Sequence, residues 1–197
     1  NVRAWYQHQE KHEWTRHEFA ELDGARLAVI GMGPIGIETA RLGVALNMTV
    51  EAIRRTPSGD EPCPTFSFDQ LTRVLGQADW VAVALPLTDD TRQIFNAETF
   101  AIMKPGAHFI NVGRGELVDE NALIAALQSG HLAGAALDVF ATEPLPPDSP
   151  LWNMDNVIIT PHSSSASAQS GLRSEEIFVK NFARYVAGEP LINEVNL

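Results

Sequence analysis

Six residues constrain this chain more than any others. Gly31-Met32-Gly33-Pro34-Ile35-Gly36 follows a short apolar run at 26–31 and opens a helical pattern at 35–46. Between a strand and a helix, that spacing suits a tight turn at Gly31, close approach of backbone to a pyrophosphate at Gly33, and close helix–strand packing at Gly36. Pro34 fits the first helical turn, where its missing N–H is not needed. Amides at the helix start then face an anion, and the helix dipole favours the negative charge.

The rest of the chain repeats the alternation. Further apolar, β-branched runs lie at 48–53, 80–85, 107–112, 134–139 and 157–160, apolar on both faces as in strands covered on both sides. Helical patterns lie between and after them at 69–75, 97–103, 119–129 and 166–187. The stretch 119–129 shows the logic, with Asp119 at its start, Leu123, Ile124 and Leu127 on one face, and Gly130 just past its end. Strand alternating with helix predicts right-handed βαβ units and an α/β fold, a Rossmann-type doubly wound parallel sheet with helices on both faces.

Two proline-rich stretches, 56–64 and 144–150, read as surface connectors, and residues 1–20 read as an amphipathic helix. The expected organisation is a leading helix over 1–22, a dinucleotide-binding domain over 23–165, and a C-terminal helix and tail over 166–197. The chain begins with Asn rather than Met, so a fragment or the ordered part of a larger protein is expected, with both flanking helices running toward a missing substrate domain.

Charge narrows the partners. The 14 Lys and Arg against 25 Asp and Glu leave a formal charge of −11, which argues against nucleic acid or an anionic membrane. Lysines occur only at Lys11, Lys104 and Lys180, an arginine-biased balance compatible with a salt-rich cytoplasm or with plain solubility. The single cysteine, Cys63, allows no intrachain disulfide and no cysteine-based metal cage, and no metal site is expected. With no signal peptide and no apolar run near the roughly 20 residues of a spanning helix, a soluble cytoplasmic protein is expected.

The residues at strand ends carry the chemistry. An acidic residue at the second strand tip would hold the ribose 2′-hydroxyl of NAD, whereas arginine there accommodates the 2′-phosphate of NADP. This chain has Ile53-Arg54-Arg55-Thr56, with Glu51 inside the strand, so NADP is favoured and NAD is the alternative. Arg114 sits between Gly113 and Gly115, which would leave its backbone free to bend and its guanidinium free to capture a carboxylate. His162 follows Pro161 at another strand end, and Glu143 nearby would orient its ring for acid–base work.

In this order GMGPIG, PLTDDT, NVGRGELVDENALIAAL, GAALDVFATEPLP and TPHSS resemble the cofactor-binding domain of the D-isomer-specific 2-hydroxyacid dehydrogenases. The resemblance runs from Ala25 to Asn193. That family includes D-lactate, D-glycerate, phosphoglycerate and formate dehydrogenases and the glyoxylate/hydroxypyruvate reductases. The resemblance implies hydride transfer between a nicotinamide cofactor and C2 of a small 2-keto or D-2-hydroxy acid. It implies that Arg114 binds the substrate carboxylate, His162 is the general acid or base, and Glu143 is its partner. It further implies that Asp138 holds the nicotinamide carboxamide and that Met32, Pro34 and Ile35 line the pyrophosphate. Leu85 and Pro86 would line the adenosine side, with Val112, Gly113 and Ser164 on the nicotinamide half.

The chain departs from the pattern in two places. Ser163-Ser164-Ser165 stands where many members carry small apolar residues or glycine, and Arg54-Arg55 points toward the NADP-using reductases. Formate oxidation is not expected. The resemblance also implies a homodimer formed through the cofactor domain, partly through 1–21 and the region of 144–152. Trp5, Trp14 and Trp152 would then be either anchors of that contact or core residues. The competing reading is a non-enzymatic NAD(P)-sensing protein like the corepressors of the same fold. The L-lactate and malate dehydrogenases share the glycine loop but order their motifs differently.

Overall fold

Leu27 to Ile30 are all buried, as expected of a strand covered on both faces. The computed structural model describes residues 2–194; Asn1 and 195–197, the extremities of the expected leading helix and C-terminal tail, lie outside the described residues. In chain order the elements are α1 (Val2–Glu10), β1 (Arg26–Ile30), α2 (Pro34–Ala45), β2 (Thr49–Ile53), β3 (Thr65–Phe66), α3 (Leu71–Gln77), β4 (Trp80–Val83), α4 (Ala97–Ile102), β5 (Ala107–Asn111), α5 (Glu120–Gln128), β6 (Leu132–Leu137), β7 (Val157–Ile159) and α6 (Ser170–Ala187).

The seven strands form one parallel sheet in the order β3-β2-β1-β4-β5-β6-β7. The chain reverses its direction of travel across the sheet between β1 and β4, and ligands of such sheets bind in the crevice outside the strand C-termini there. One face carries Phe95, Phe100, Phe109, Leu117, Leu123 and Leu132, and the other carries Leu27, Val29, Ala40, Val50 and Ala52.

Local chemistry explains the helix ends. Asp119 caps α5 by accepting from the amides of Asn121 (3.0 Å) and Ala122 (3.2 Å), and Gly130 takes φ +75° just beyond it. Asn96 and Thr99 form a reciprocal capping box at the start of α4.

Two expectations are corrected. The leading helix stops at Glu10 rather than running to residue 20. His12 turns into the left-handed region at φ 55°, and none of the residues of α1 is buried, so no core sustains the pattern. β3 is a strand that the sequence reading passed over, two residues paired with Ala52 and Ile53 immediately after the proline-rich loop.

The chain divides into two compact units, 1–161 and 162–197. The first holds the whole sheet with α1 to α5. The second holds α6, which ends at Gly188 in the left-handed conformation. Among the described residues no helix is long and apolar enough to cross a membrane.

Candidate functional site

The glycine loop is shaped by what surrounds it. Gly31 has φ +107°, its amide donates to Ile53 O at 2.8 Å, and a Cβ there would meet Ala84 O at 2.8 Å. At Gly36 a Cβ would lie 1.8 Å from Gly31 O, so α2 is pressed onto the turn that introduces it. Gly33 differs: its φ is −79°, and an added Cβ would meet nothing within 4 Å. Gly33 is also the N-cap of α2 and supplies no side chain to bond the first amides, which are left for an anion.

That open side belongs to a cleft of about 790 Å³ lined by Met32, Gly33, Arg54, Arg55, Leu85 and Pro86 from the sequence expectations. Thr56, Phe68, Leu71, Thr88, Asp90, Thr91 and Ile94 complete it and were not anticipated. The PLTDDT run was the available signal for three of them, as its Thr91 is buried and ties the loop together. Thr91 Oγ1 donates to Pro86 O at 2.8 Å and accepts from the Thr88 amide at 2.8 Å. A volume of this size with apolar walls and two guanidinium groups fits the adenosine half of a dinucleotide. Pro34 and Ile35 lie on the first turn of α2 beside it, both exposed.

The arginines are not without acidic neighbours, although no carboxylate stands beside them at the strand tip. Arg54 pairs with Glu61 at 2.8 Å and Arg55 with Asp90 at 3.0 Å, while Glu51 is taken up by Arg73 at 3.0 Å. Hydrogen bonds to Glu61, that from the Ser58 amide foremost, hold its carboxyl at a pKa of about 2.

A second group of residues gathers at the ends of β5 and β6. The buried Asn111 holds the loop after β5, donating to Arg114 O (3.0 Å) and accepting from the Gly113 amide (3.0 Å). Arg114 is exposed and its Nη1 donates to Gly113 O at 2.7 Å. The flanking glycines are not there for bending, which corrects the expectation, because neither has a positive φ. They serve contact instead. A Cβ on Gly113 would lie 2.8 Å from Leu85 O, and one on Gly115 would lie 1.8 Å from the carbonyl carbon of Phe140. Val112 stands half-buried at the strand end, its amide donating to Val83 O at 3.1 Å.

Phe140 belongs to the loop that carries Glu143. That loop is fixed by the Phe140 amide donating to Glu143 Oε1 (2.9 Å) and the Ala141 amide donating to Glu120 Oε1 (2.7 Å). Glu120 is thus a support that the sequence reading missed. Asp138 is buried at the end of β6 and accepts from Thr160 Oγ1 at 2.5 Å. Among the described residues, therefore, the first unit places Arg114 and Glu143 on two loops in direct backbone contact.

His162 and Ser164 open the second unit and both are exposed. His162 takes φ 49°, a left-handed conformation uncommon outside glycine. No group of three or more potential metal ligands occurs among the described residues.

The chain matches the family described as D-isomer specific 2-hydroxyacid dehydrogenase, NAD binding domain, over residues 1–164. Among curated relatives, the glyoxylate/hydroxypyruvate reductase B of Salmonella newport is 43% identical over 173 residues, covering 86% of this chain and 53% of that protein. An uncharacterized protein of Corynebacterium melassecola is 40% identical over 179 residues, covering 89% of this chain and 58% of its own length. The chain thus spans little more than half of the curated relatives it matches.

Solved structures agree. A D-isomer specific 2-hydroxyacid dehydrogenase from Xanthobacter autotrophicus Py2, in complex with NADPH and MES, superposes with a TM-score of 0.88 at 40% identity, covering 100% of this chain and 81% of that one. The NADPH-dependent glyoxylate/hydroxypyruvate reductase of Sinorhizobium meliloti, in complex with NADP and sulfate, gives 0.89 at 36% identity, covering 99% and 63%.

Proposed function

As the chain belongs to the D-isomer-specific 2-hydroxyacid dehydrogenase family and matches its NAD-binding domain, we propose that it takes up NADP(H) and contributes the acid–base and substrate-binding residues of a 2-keto acid reductase. The observation that carries the cofactor reading is the cleft itself, with the open side of Gly33 at one end and Arg54 and Arg55 in its wall. The relatives from Xanthobacter autotrophicus Py2 and Sinorhizobium meliloti are complexes with NADPH and NADP, which supports the reading.

When bound, the reduced cofactor supplies a hydride to C2 of the substrate. Arg114 holds the substrate carboxylate through charge-assisted hydrogen bonds and draws electron density from the neighbouring carbonyl. His162 donates the proton to the carbonyl oxygen, with Glu143 orienting it, and takes the proton back in the oxidation direction. Asp138, Val112, Gly113 and Ser164 face the nicotinamide half in this reading. The substrate is a small 2-keto acid of the glyoxylate and hydroxypyruvate type, named in the curated relative of Salmonella newport.

NADPH binds this chain at least about tenfold more tightly than NADH, the ratio expected from one charge-assisted phosphate contact. Fluorescence titration of both cofactors checks it, and equal affinity or a preference for NADH sinks the NADP assignment. Turnover with glyoxylate, hydroxypyruvate and pyruvate is measured on the gene's full-length product. Cofactor binding without oxidation on any of these acids favours the sensor reading.

The first unit also exposes aromatic surface. Trp14 is 95% exposed, and Trp5 and Trp152 are exposed at 43% and 42%, so none is a core residue. Arg3 of α1 donates to Trp152 O (3.0 Å) and Met154 O (2.9 Å), which sets Trp5 and Trp152 on neighbouring segments. Covered by a second copy, these rings would supply the buried aromatic anchors of a homodimer. Sedimentation at micromolar concentration is expected to show a dimer, and a monomer counts against it.

A further inference from the structure

The loop between β2 and β3 hides one carboxylate. Only 4% of the Glu61 side chain is exposed, although residues 55–60 just before it are open to solvent. It accepts from the amides of Ser58 and Gly59, each at 2.8 Å, and it lies 2.8 Å from Ser58 Oγ. Gly59 stands at φ +87°, which curls the backbone so that consecutive amides converge on one anion. Nη1 of Arg54 completes the set, 2.8 Å from Glu61 Oε1 and 3.1 Å from Ser58 Oγ.

The consequence falls on Arg54. Its Nη1 group is occupied by Glu61 and Ser58, whereas Nε and Nη2 have no hydrogen-bond partner among the described residues. Nε and Nη2 form one edge of the guanidinium, the edge that receives two oxygens of a phosphate or carboxylate side by side. Arg54 lines the cleft and Glu61 does not, so the carboxylate stands away from the ligand space. Arg55 offers a contrast, since its side chain is 74% exposed and pairs with an Asp90 that is 81% exposed, a contact that solvent and salt weaken.

We propose that Glu61 is a positioning residue for cofactor selection: it anchors Arg54 by Nη1 and thereby presents the Nε–Nη2 edge to a phosphomonoester in the cleft, the 2′-phosphate of NADP. The proposal rests on the NADP reading given above. A free arginine must surrender the rotamer freedom of a long side chain to grip a phosphate, whereas this one has surrendered it on folding. The residual repulsion between Glu61 and the phosphate is the opposing effect. It acts from the far side of a cation, while the alignment acts at hydrogen-bond distance, so alignment prevails. With its pKa held at about 2, Glu61 is charged throughout the neutral range and the anchor does not switch with pH there.

The test compares 2′,5′-ADP with 5′-ADP by calorimetric titration of this chain, unaltered and as Glu61→Ala, Glu61→Gln and Arg54→Ala. The unaltered chain is expected to prefer 2′,5′-ADP, and Glu61→Ala to lose about tenfold of that preference, as for one charge-assisted contact, with 5′-ADP affinity unchanged. Glu61→Gln, which keeps one acceptor oxygen for Arg54, is expected to retain part of the preference. Damage to the loop or the fold alone would weaken both ligands together, and that result overturns the proposal. So does an unchanged or increased preference in Glu61→Ala while Arg54→Ala abolishes it; the NADP reading then stands. No preference in the unaltered chain overturns both.

Discussion

On the proposed role, replacing His162 with alanine lowers kcat by about 10²–10⁴-fold, the usual worth of a positioned general acid, while NADPH affinity is unchanged. The backbone adds a second measurement. His162 sits at φ 49°, where a side chain with a Cβ costs about 1–2 kcal/mol relative to glycine. His162→Gly relieves that backbone cost while removing the imidazole, and is as inactive as the alanine variant. Unchanged kcat in either variant removes His162 from its proposed role.

The second large effect is structural and lies at Gly115. An added methyl would stand 1.8 Å from the carbonyl carbon of Phe140, 2.0 Å from its oxygen and 2.3 Å from the amide nitrogen of Ala141. All three are backbone atoms, so no side chain can swing aside. Gly115→Ala forces the two loops apart against the hydrogen bond that the Ala141 amide donates to Glu120. The expected destabilisation is about 3 kcal/mol, the upper end of ordinary overpacking. For a chain of this size it lowers Tm by roughly 6–12 °C. Because Arg114 and Glu143 ride on the separated loops, kcat/KM falls by about 10²-fold, as for a displacement near 1 Å. A Tm equal to that of the unaltered chain contradicts the contact.

What could be read in the sequence was what is encoded locally. The glycine loop announces a strand, a turn and a helix within six residues, and the α5 cap at Asp119 and stop at Gly130 are short-range signals of the same kind. The sheet followed from repetition of such units. Contacts between distant residues were not readable. Arg54 and Arg55 looked free of acid because Glu61 is turned back onto Arg54 by the curl of the loop that follows it, and Asp90 reaches Arg55 from the loop after β4. Gly113 and Gly115 looked like flexible joints because Leu85 and Phe140, which need their missing side chains, are far away in sequence. The leading helix was overextended for the opposite reason: its amphipathic pattern persists locally, but none of the helix is buried and the chain turns at His12.

Gly33 and Gly36 stand three residues apart in one motif and answer to different selective pressures. A mutation at Gly36 is eliminated by misfolding, because the chain collides with itself. At Gly33 the chain meets nothing, and φ −79° suits any residue, so alanine there would even stabilise the empty protein by about 0.4–1 kcal/mol through the unfolded state. A lineage that ceased to need its ligand would therefore keep Gly36 and let Gly33 drift. The pair makes a molecular record of whether a descendant of this domain still binds what its ancestor bound.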